Sequence, residues 1–165
     1  VQGNPVHYGF GRTPTPGEIA ALDIDVSPDG KGLPPGHGSV AEGAKIFAAA
    51  CASCHGEKGE LATLAGNALA GGIGTLASAK PVKTVGSYWP YSTILFDFVR
   101  RAMPFNAPQS LSADETYAVT AYVLALNGII AQDAELNAQN LAAVKMPNRE
   151  GFEAADWKAG QAVKP

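Results

Sequence analysis

The sequence predicts an all-α fold with irregular arms at both ends, and three observations carry that prediction. Boxes of the form Ser/Thr-x-x-Glu stand at Thr15–Glu18, Ser39–Glu42 and Ser112–Glu115; such a box satisfies orphaned backbone donors at a helix start. Behind the second and third boxes, apolar residues recur at spacings of 3 and 4, the period of a helical face. The 19 glycines and 12 prolines show that much of the remaining chain is loop.

In chain order, residues 1–38 form an arm punctuated by Thr13-Pro14, Ser27-Pro28-Asp29-Gly30 and Leu33-Pro34-Pro35-Gly36. One short helix is expected in it: Thr15 caps, Pro16 fits the first helical position, and Glu18 completes the box before Ile19 and Leu22. Gly32 to Gly38 reads as a linker. From Ser39, the residues Val40, Ala44, Phe47 and Cys51 share one helical face, so the helix carries Cys51 at its end. Residues 56–86 read as a Gly-rich apolar loop. Helical spacing resumes from Tyr91 to Arg101 through Ile94, Leu95, Phe98 and Val99, and stops before Met103-Pro104. Proline crowds the preceding residue out of helical geometry, so Met103 is expected to be extended, on a loop. The third box opens a helix carrying Val119, Tyr122, Val123 and Leu126 that ends at Asn127-Gly128, with Ile129 and Ile130 folded back on it. The division is an N-terminal arm at 1–38, a helical domain at 39–128 and a C-terminal arm at 129–165.

A chain of 165 residues suits one domain that buries roughly 70% of its unfolded surface. Apolar runs are too short to cross a bilayer. A net charge of -3 without a basic cluster gives no footprint for nucleic acid. The start, VQGNP, has neither an initiator Met nor an apolar leader and reads as a processed protein or an excised fragment.

Residues 51–55, CASCH, hold both cysteines, and three chemistries use such a pair: thiol redox, half a zinc site and covalent haem attachment. Zinc needs four ligands, and beyond Cys51 and Cys54 only His7, His37 and His55 are on offer. A thioredoxin-like site needs βαβ patterning, and no strand-like alternation surrounds the pair. Haem uses every element: Cys51 and Cys54 form thioethers and His55 becomes the proximal iron ligand.

The sixth iron position separates an electron carrier from a gas-binding or catalytic haem, and two methionines, each before a proline, are the candidates to fill it. Methionine fills cores more often than it binds metal. In a chain with CxxCH, Met103, 48 residues after His55 on a loop between helices, is the better placed; Met146 lies 91 residues after it, beyond the third helix. His/Met ligation closes the iron and raises its potential, which suits electron transfer. Trp89 and Tyr91 are candidates to hydrogen-bond haem propionates, against the blander reading as core aromatics. Arg100, with Arg101, is a candidate propionate partner, against a solvated charge near a helix end. Gly72-Ile73-Gly74 lacks the strand and third glycine of a nucleotide site and reads as a loop against haem. His7 and His37 read as surface residues.

Residues 39–128 resemble class I cytochromes c in Gly43 and Phe47, in CASCH, in the Met103-Pro104 loop and in a final helix bearing Tyr117 and Tyr122. That resemblance implies that the first and last helices cross, a small residue admitting an aromatic. A longer likeness runs through YGFGRTPTPGEIAALDIDVSPDGKGLPPG, PVKTVGSYWPYSTILFDFVRRAMPFNAPQSLSADETYAVTAYVLALNGI and MPNREGF. These stretches resemble the SoxD family, cytochrome subunits of sulfane dehydrogenase in bacterial thiosulfate oxidation. The likeness implies one covalent haem c, a periplasmic setting and a hetero-oligomer with SoxC, a molybdenum-cofactor subunit that oxidises sulfane sulfur on a carrier-protein cysteine. Electrons would pass through this chain to an acceptor such as another cytochrome, with no catalytic residue here. SoxD proteins commonly carry a second haem domain, whereas this chain has one CxxCH, so it reads as a truncated two-haem subunit or a one-haem relative. A free-standing cytochrome c, a subunit of another dehydrogenase, and a haem enzyme or sensor with an open iron site stay as alternatives. Tyr8, Phe10, Phe152 and Trp157 in the arms are expected to cover either the haem domain or a partner.

Overall fold

All three expected capping boxes form. The computed structural model describes residues 9–61 and 67–153. Helix α1 runs Pro16–Leu22, with the Thr15 hydroxyl accepting from the Glu18 amide and the Glu18 carboxylate accepting in return from Thr15 N–H. Helix α2 runs Val40–Ala50 behind the Ser39–Glu42 box, and a single turn, α3, follows at Ala52–His55. Helix α5 spans Ser92–Ala102 and α6 spans Ala113–Leu126 behind the Ser112–Glu115 box. One short helix, α4 at Val85–Tyr88, starts at the end of the stretch expected to be loop, residues 56–86, and runs two residues past it. Its box is closed by Thr84 and Ser87, and a serine at the third position carries no helix signal in the sequence.

The chain also forms a small antiparallel ribbon. Strand β1, His37–Ser39, pairs with β2, Glu135–Asn137, in the register His37 to Asn137 and Ser39 to Glu135. A 3₁₀ turn follows at Leu141–Ala143.

The core is centred where α2 crosses α6. Gly43 sits so close that a Cβ there would lie 1.9 Å from the Ala118 carbonyl oxygen, and a Cβ on Gly38 of β1 would lie 2.2 Å from the same residue's amide nitrogen. The approach brings the Phe47 and Tyr122 rings to 5.2 Å, and Phe96 meets Tyr117 at 4.5 Å. Phe47, Phe96, Tyr117 and Leu124 are fully buried, each contributing about 1.5–3 kcal/mol of transfer free energy. The face expected through Ala44 is centred on Gly43 instead, because backbone approach rather than side-chain size decides the contact.

The flanking segments join this core. Val26 comes from before the helical domain, and Leu136, Leu141 and Met146 from after it. Ile129 and Ile130 pack against the cluster, and the Ile129 amide donates to the Leu124 carbonyl at 3.0 Å. The N-terminal arm is tied down by Val26 N–H to Asp97 Oδ1 at 2.9 Å and by the Tyr117 hydroxyl to the Pro34 carbonyl at 2.9 Å. The C-terminal arm is held by Ser92 Oγ donating to the Leu141 carbonyl at 2.6 Å and Asn148 Nδ2 to the Tyr88 carbonyl at 2.7 Å. Helix α1 differs: it buries no residue, and Phe10, Ile19 and Leu22 stand 90%, 50% and 83% exposed. His7, Tyr8 and Trp157 lie outside the described residues. Among the described residues, no helix is long and apolar enough to cross a membrane.

Candidate haem attachment site

The end of α2 builds the site. Cys51 closes α2 with its amide on the Phe47 carbonyl at 2.9 Å, and its backbone, at φ -123° and ψ -36°, turns the chain into α3. The amides of Cys54 and His55 then both return to the Cys51 carbonyl, at 3.1 and 3.0 Å. Gly56, at φ +82°, ends the turn in a conformation that favours glycine. Residues 51, 54 and 55 stand at i, i+3 and i+4 of a helical turn, so both sulfurs and the imidazole share one side. All three are half-buried. Burial, then the neighbouring Cys54, pushes the Cys51 thiol up to about 11, so a free thiol there stays protonated at neutral pH.

His55 Nδ1 lies 2.8 Å from the Asn67 carbonyl oxygen. A carbonyl only accepts, so Nδ1 carries the proton and Nε2 keeps its lone pair for a metal. That tautomer, beside two thiols on one face, fits the donor set of a covalently held haem. The loop bearing Asn67 is fastened by the Leu69 and Ala70 amides, both on the Gly59 carbonyl at 2.7 and 3.0 Å.

Met103 caps the end of α5 in extended geometry, φ -119° and ψ 147°, as the following proline requires. It is half-buried against the core, whereas Met146 is only 3% exposed inside the apolar cluster. Trp89 stacks edge-on against Phe98 at 5.9 Å, and Tyr91 lies beneath Arg149 at 4.3 Å. Arg100 gives one Nη1 bond to the Ile24 carbonyl at 3.1 Å, and Arg101 bridges Asp97 and Asp25. Gly72 and Gly74 both have positive φ, and Ile73 between them is 50% exposed on a loop. His37 is exposed on β1.

From the sequence, Asn127 reads as a helix stop. The structure shows its amide reaching from the end of α6 to the loop beside His55, with Nδ2 on the Leu69 carbonyl at 3.0 Å. The Asn-Gly pair was the signal at hand, since asparagine can stop a helix and still reach for further bonds.

A helical turn bearing CxxCH beneath a crossed helix pair defines a c-type cytochrome, and residues 40–127 match the cytochrome c family model, so the chain belongs to the cytochrome c family. Within a cytochrome c domain the Cys51/Cys54 pair implies covalent haem c. Among solved structures, the chain is similar to one in the crystal structure of the sulfane dehydrogenase SoxCD from Paracoccus pantotrophus. The match has 44% identity and a TM-score of 0.85, covering 96% of this chain and 84% of that one. The likeness to the SoxD family read from the sequence is borne out: this is an electron-transfer cytochrome of that kind. A search of curated proteins returned no significant match.

Proposed function

We propose that the chain is the electron-transfer cytochrome subunit of a periplasmic molybdenum sulfane dehydrogenase, holding one haem c. The observation that carries this reading is the 44% identity over 96% of the chain with a chain of the SoxCD structure. When bound, haem c supplies a one-electron iron couple. Cys51 and Cys54 would hold it through thioethers, His55 would offer Nε2 to the iron, and Met103 would offer its sulfur as a second ligand. With both ligands in place the site would keep substrate off the metal and suit it to electron transfer alone. Trp89, Tyr91 and Arg100 are the residues assigned to the propionate edge.

The haem-carrying unit is residues 39–128. The arms, 1–38 and 129–165, serve twice: inner residues such as Val26 and Leu141 complete the core, while outer ones meet the partner. Helix α1 supports the second role. It is ordered by its own capping box and an Arg12–Glu18 ion pair, yet presents Ile19 and Leu22 to solvent, a poor arrangement unless something covers them. The partner is the SoxC-like molybdenum subunit, and electrons leave to another cytochrome.

The test is co-purification of the full chain from its native periplasm with molybdenum analysis, followed by haem reduction on adding protein-bound sulfane sulfur. Molybdenum co-eluting in a reducible complex supports the reading, and a cytochrome running free of molybdenum overturns the partner assignment. Carbon monoxide separates the other class. Ready binding to the reduced protein would point to an open iron site and a haem enzyme or sensor.

A further inference from the structure

We propose that Asn127 is a positioning residue for the proximal ligand: it fixes the loop whose Asn67 carbonyl accepts the hydrogen bond from His55 Nδ1–H, and so sets how strongly His55 donates to iron. The inference rests on the reading that His55 is a haem ligand.

Asn127 is buried, at 9% exposure, at the cap of α6. Its amide is fully used. Nδ2 donates to the Leu69 carbonyl at 3.0 Å and to the Val123 carbonyl at 2.9 Å, and Oδ1 accepts from the Gly71 amide at 3.2 Å. The bond to Val123 anchors the side chain to its own helix, while the other two grip the loop through a carbonyl and an amide two residues apart. Space for this is reserved by Gly86 of α4, where a Cβ would lie 2.2 Å from Asn127 Oδ1. Thr84 Oγ1 adds a bond to the Gly71 carbonyl at 2.6 Å. Asn67 stands two residues before Leu69, so its carbonyl is held by whatever holds that strip of backbone. An imidazole whose Nδ1–H is held on a carbonyl is a more basic ligand, which favours ferric iron and lowers the potential. Freed to exchange with water, the same imidazole donates less.

The test compares Asn127→Ala and Asn127→Asp with Gln132→Ala in the full-length haem protein. Gln132 also donates to a carbonyl of the α6 end, Ala125 at 3.1 Å, and has no hydrogen bond to the loop among the described residues. The readouts are solvent exchange of the His55 Nδ1–H by NMR and the midpoint potential. Asn127→Ala is expected to speed that exchange by about tenfold, the loss of roughly one net hydrogen bond of local stability, and to raise the potential. Asn127→Asp keeps an acceptor for Gly71 but loses both donors, and is expected to speed the exchange even if the alanine variant does not fold; its added negative charge lowers the potential on its own account, so the potential is read in Asn127→Ala. Unchanged exchange in the Asn127 variants, an unchanged potential in Asn127→Ala, or equal changes in Gln132→Ala, would overturn the proposal. A wild-type His55 without paramagnetically shifted ring resonances in the ferric protein would instead overturn its assignment as ligand.

Discussion

Gly43→Ala puts the helix crossing to the test. In an isolated helix the change is favourable by about 1 kcal/mol, because alanine loses less backbone entropy. Here the new Cβ would stand 1.9 Å from the Ala118 carbonyl oxygen, 2.5 Å from its carbon and 2.8 Å from Tyr122 Cβ. Those are mostly backbone atoms of a packed helix, so no rotamer change relieves them. Bringing the first contact out to 3.0 Å requires α2 and α6 to part by about 1.1 Å. That displacement also loosens the Phe47–Tyr122 contact. Overpacking of a core costs typically 1–3 kcal/mol, and a clash with unyielding backbone belongs at the upper end, about 3. Less the propensity gain, a net loss of about 2 kcal/mol is expected. Guanidinium unfolding of the haem protein, followed by far-ultraviolet circular dichroism, reads it directly. Gly17→Ala in α1 is the control: nothing lies within 4 Å of its Cβ, and the global transition should stay where it is. A Gly43→Ala protein as stable as the parent, or more so, would refute the close approach of α2 and α6 at this position.

Three further outcomes are expected. Met103→Ala should abolish the near-infrared band from methionine to ferric iron and lower the potential; Met146→Ala should keep both and lose about 2–5 kcal/mol of stability from the cavity it leaves. Loss of the band in the Met146 variant would reverse the ligand assignment. Thr120 Oγ1 is the buried side-chain oxygen without a partner among the described residues, so Thr120→Val should leave stability unchanged or raise it by roughly 1 kcal/mol in thermal unfolding. A clear loss would mean that the hydroxyl has a partner. The Glu18 carboxyl is held down to about 2, first by Arg12 and then by Thr15. A depressed folded pKa means that the α1 cap is intact above the ordinary carboxylate range and is lost only as pH falls through about 2. The Thr15 and Glu18 amide shifts should follow that course, and a midpoint near 4.5 would contradict it.

What the sequence made legible was local. Capping boxes act over four residues, and CASCH needs one helical turn to align its ligands, so α1, α2, α6 and the attachment turn could be read without tertiary knowledge. The extended backbone of Met103 followed from its neighbour Pro104. What escaped was non-local or carried by the main chain. The pairing of Ser39 with Glu135 rests on three residues per strand, too few for alternation to show. The Asn67 carbonyl that orients His55 is a backbone atom, and any residue type would supply it. Arg100 could be ranked only between propionate and solvent, and the carbonyl of Ile24, which it meets, lies 76 positions away in the chain. Asn127 was read for its backbone role because helix stops have a pattern and long side-chain reaches do not.

The crossing and the site are linked through two helices from one pivot. Cys51 lies eight residues beyond Gly43 along α2, and Asn127 nine beyond Ala118 along α6, about 12 and 14 Å at 1.5 Å per residue. One helix therefore carries the covalent attachment and the other the clamp on the Asn67 loop, and each arm is of similar length. A change in how the helices meet at Gly43 shifts the ligand relative to the carbonyl that holds its proton. Gly43→Ala should then lower stability and raise the potential together, with faster exchange of the His55 Nδ1–H. Thr120→Val removes only a hydroxyl without a partner among the described residues, and should leave the potential and the exchange unchanged. A destabilised Gly43→Ala protein with an unshifted potential would mean that the Gly59 and Thr84 anchors hold the loop without help from α6.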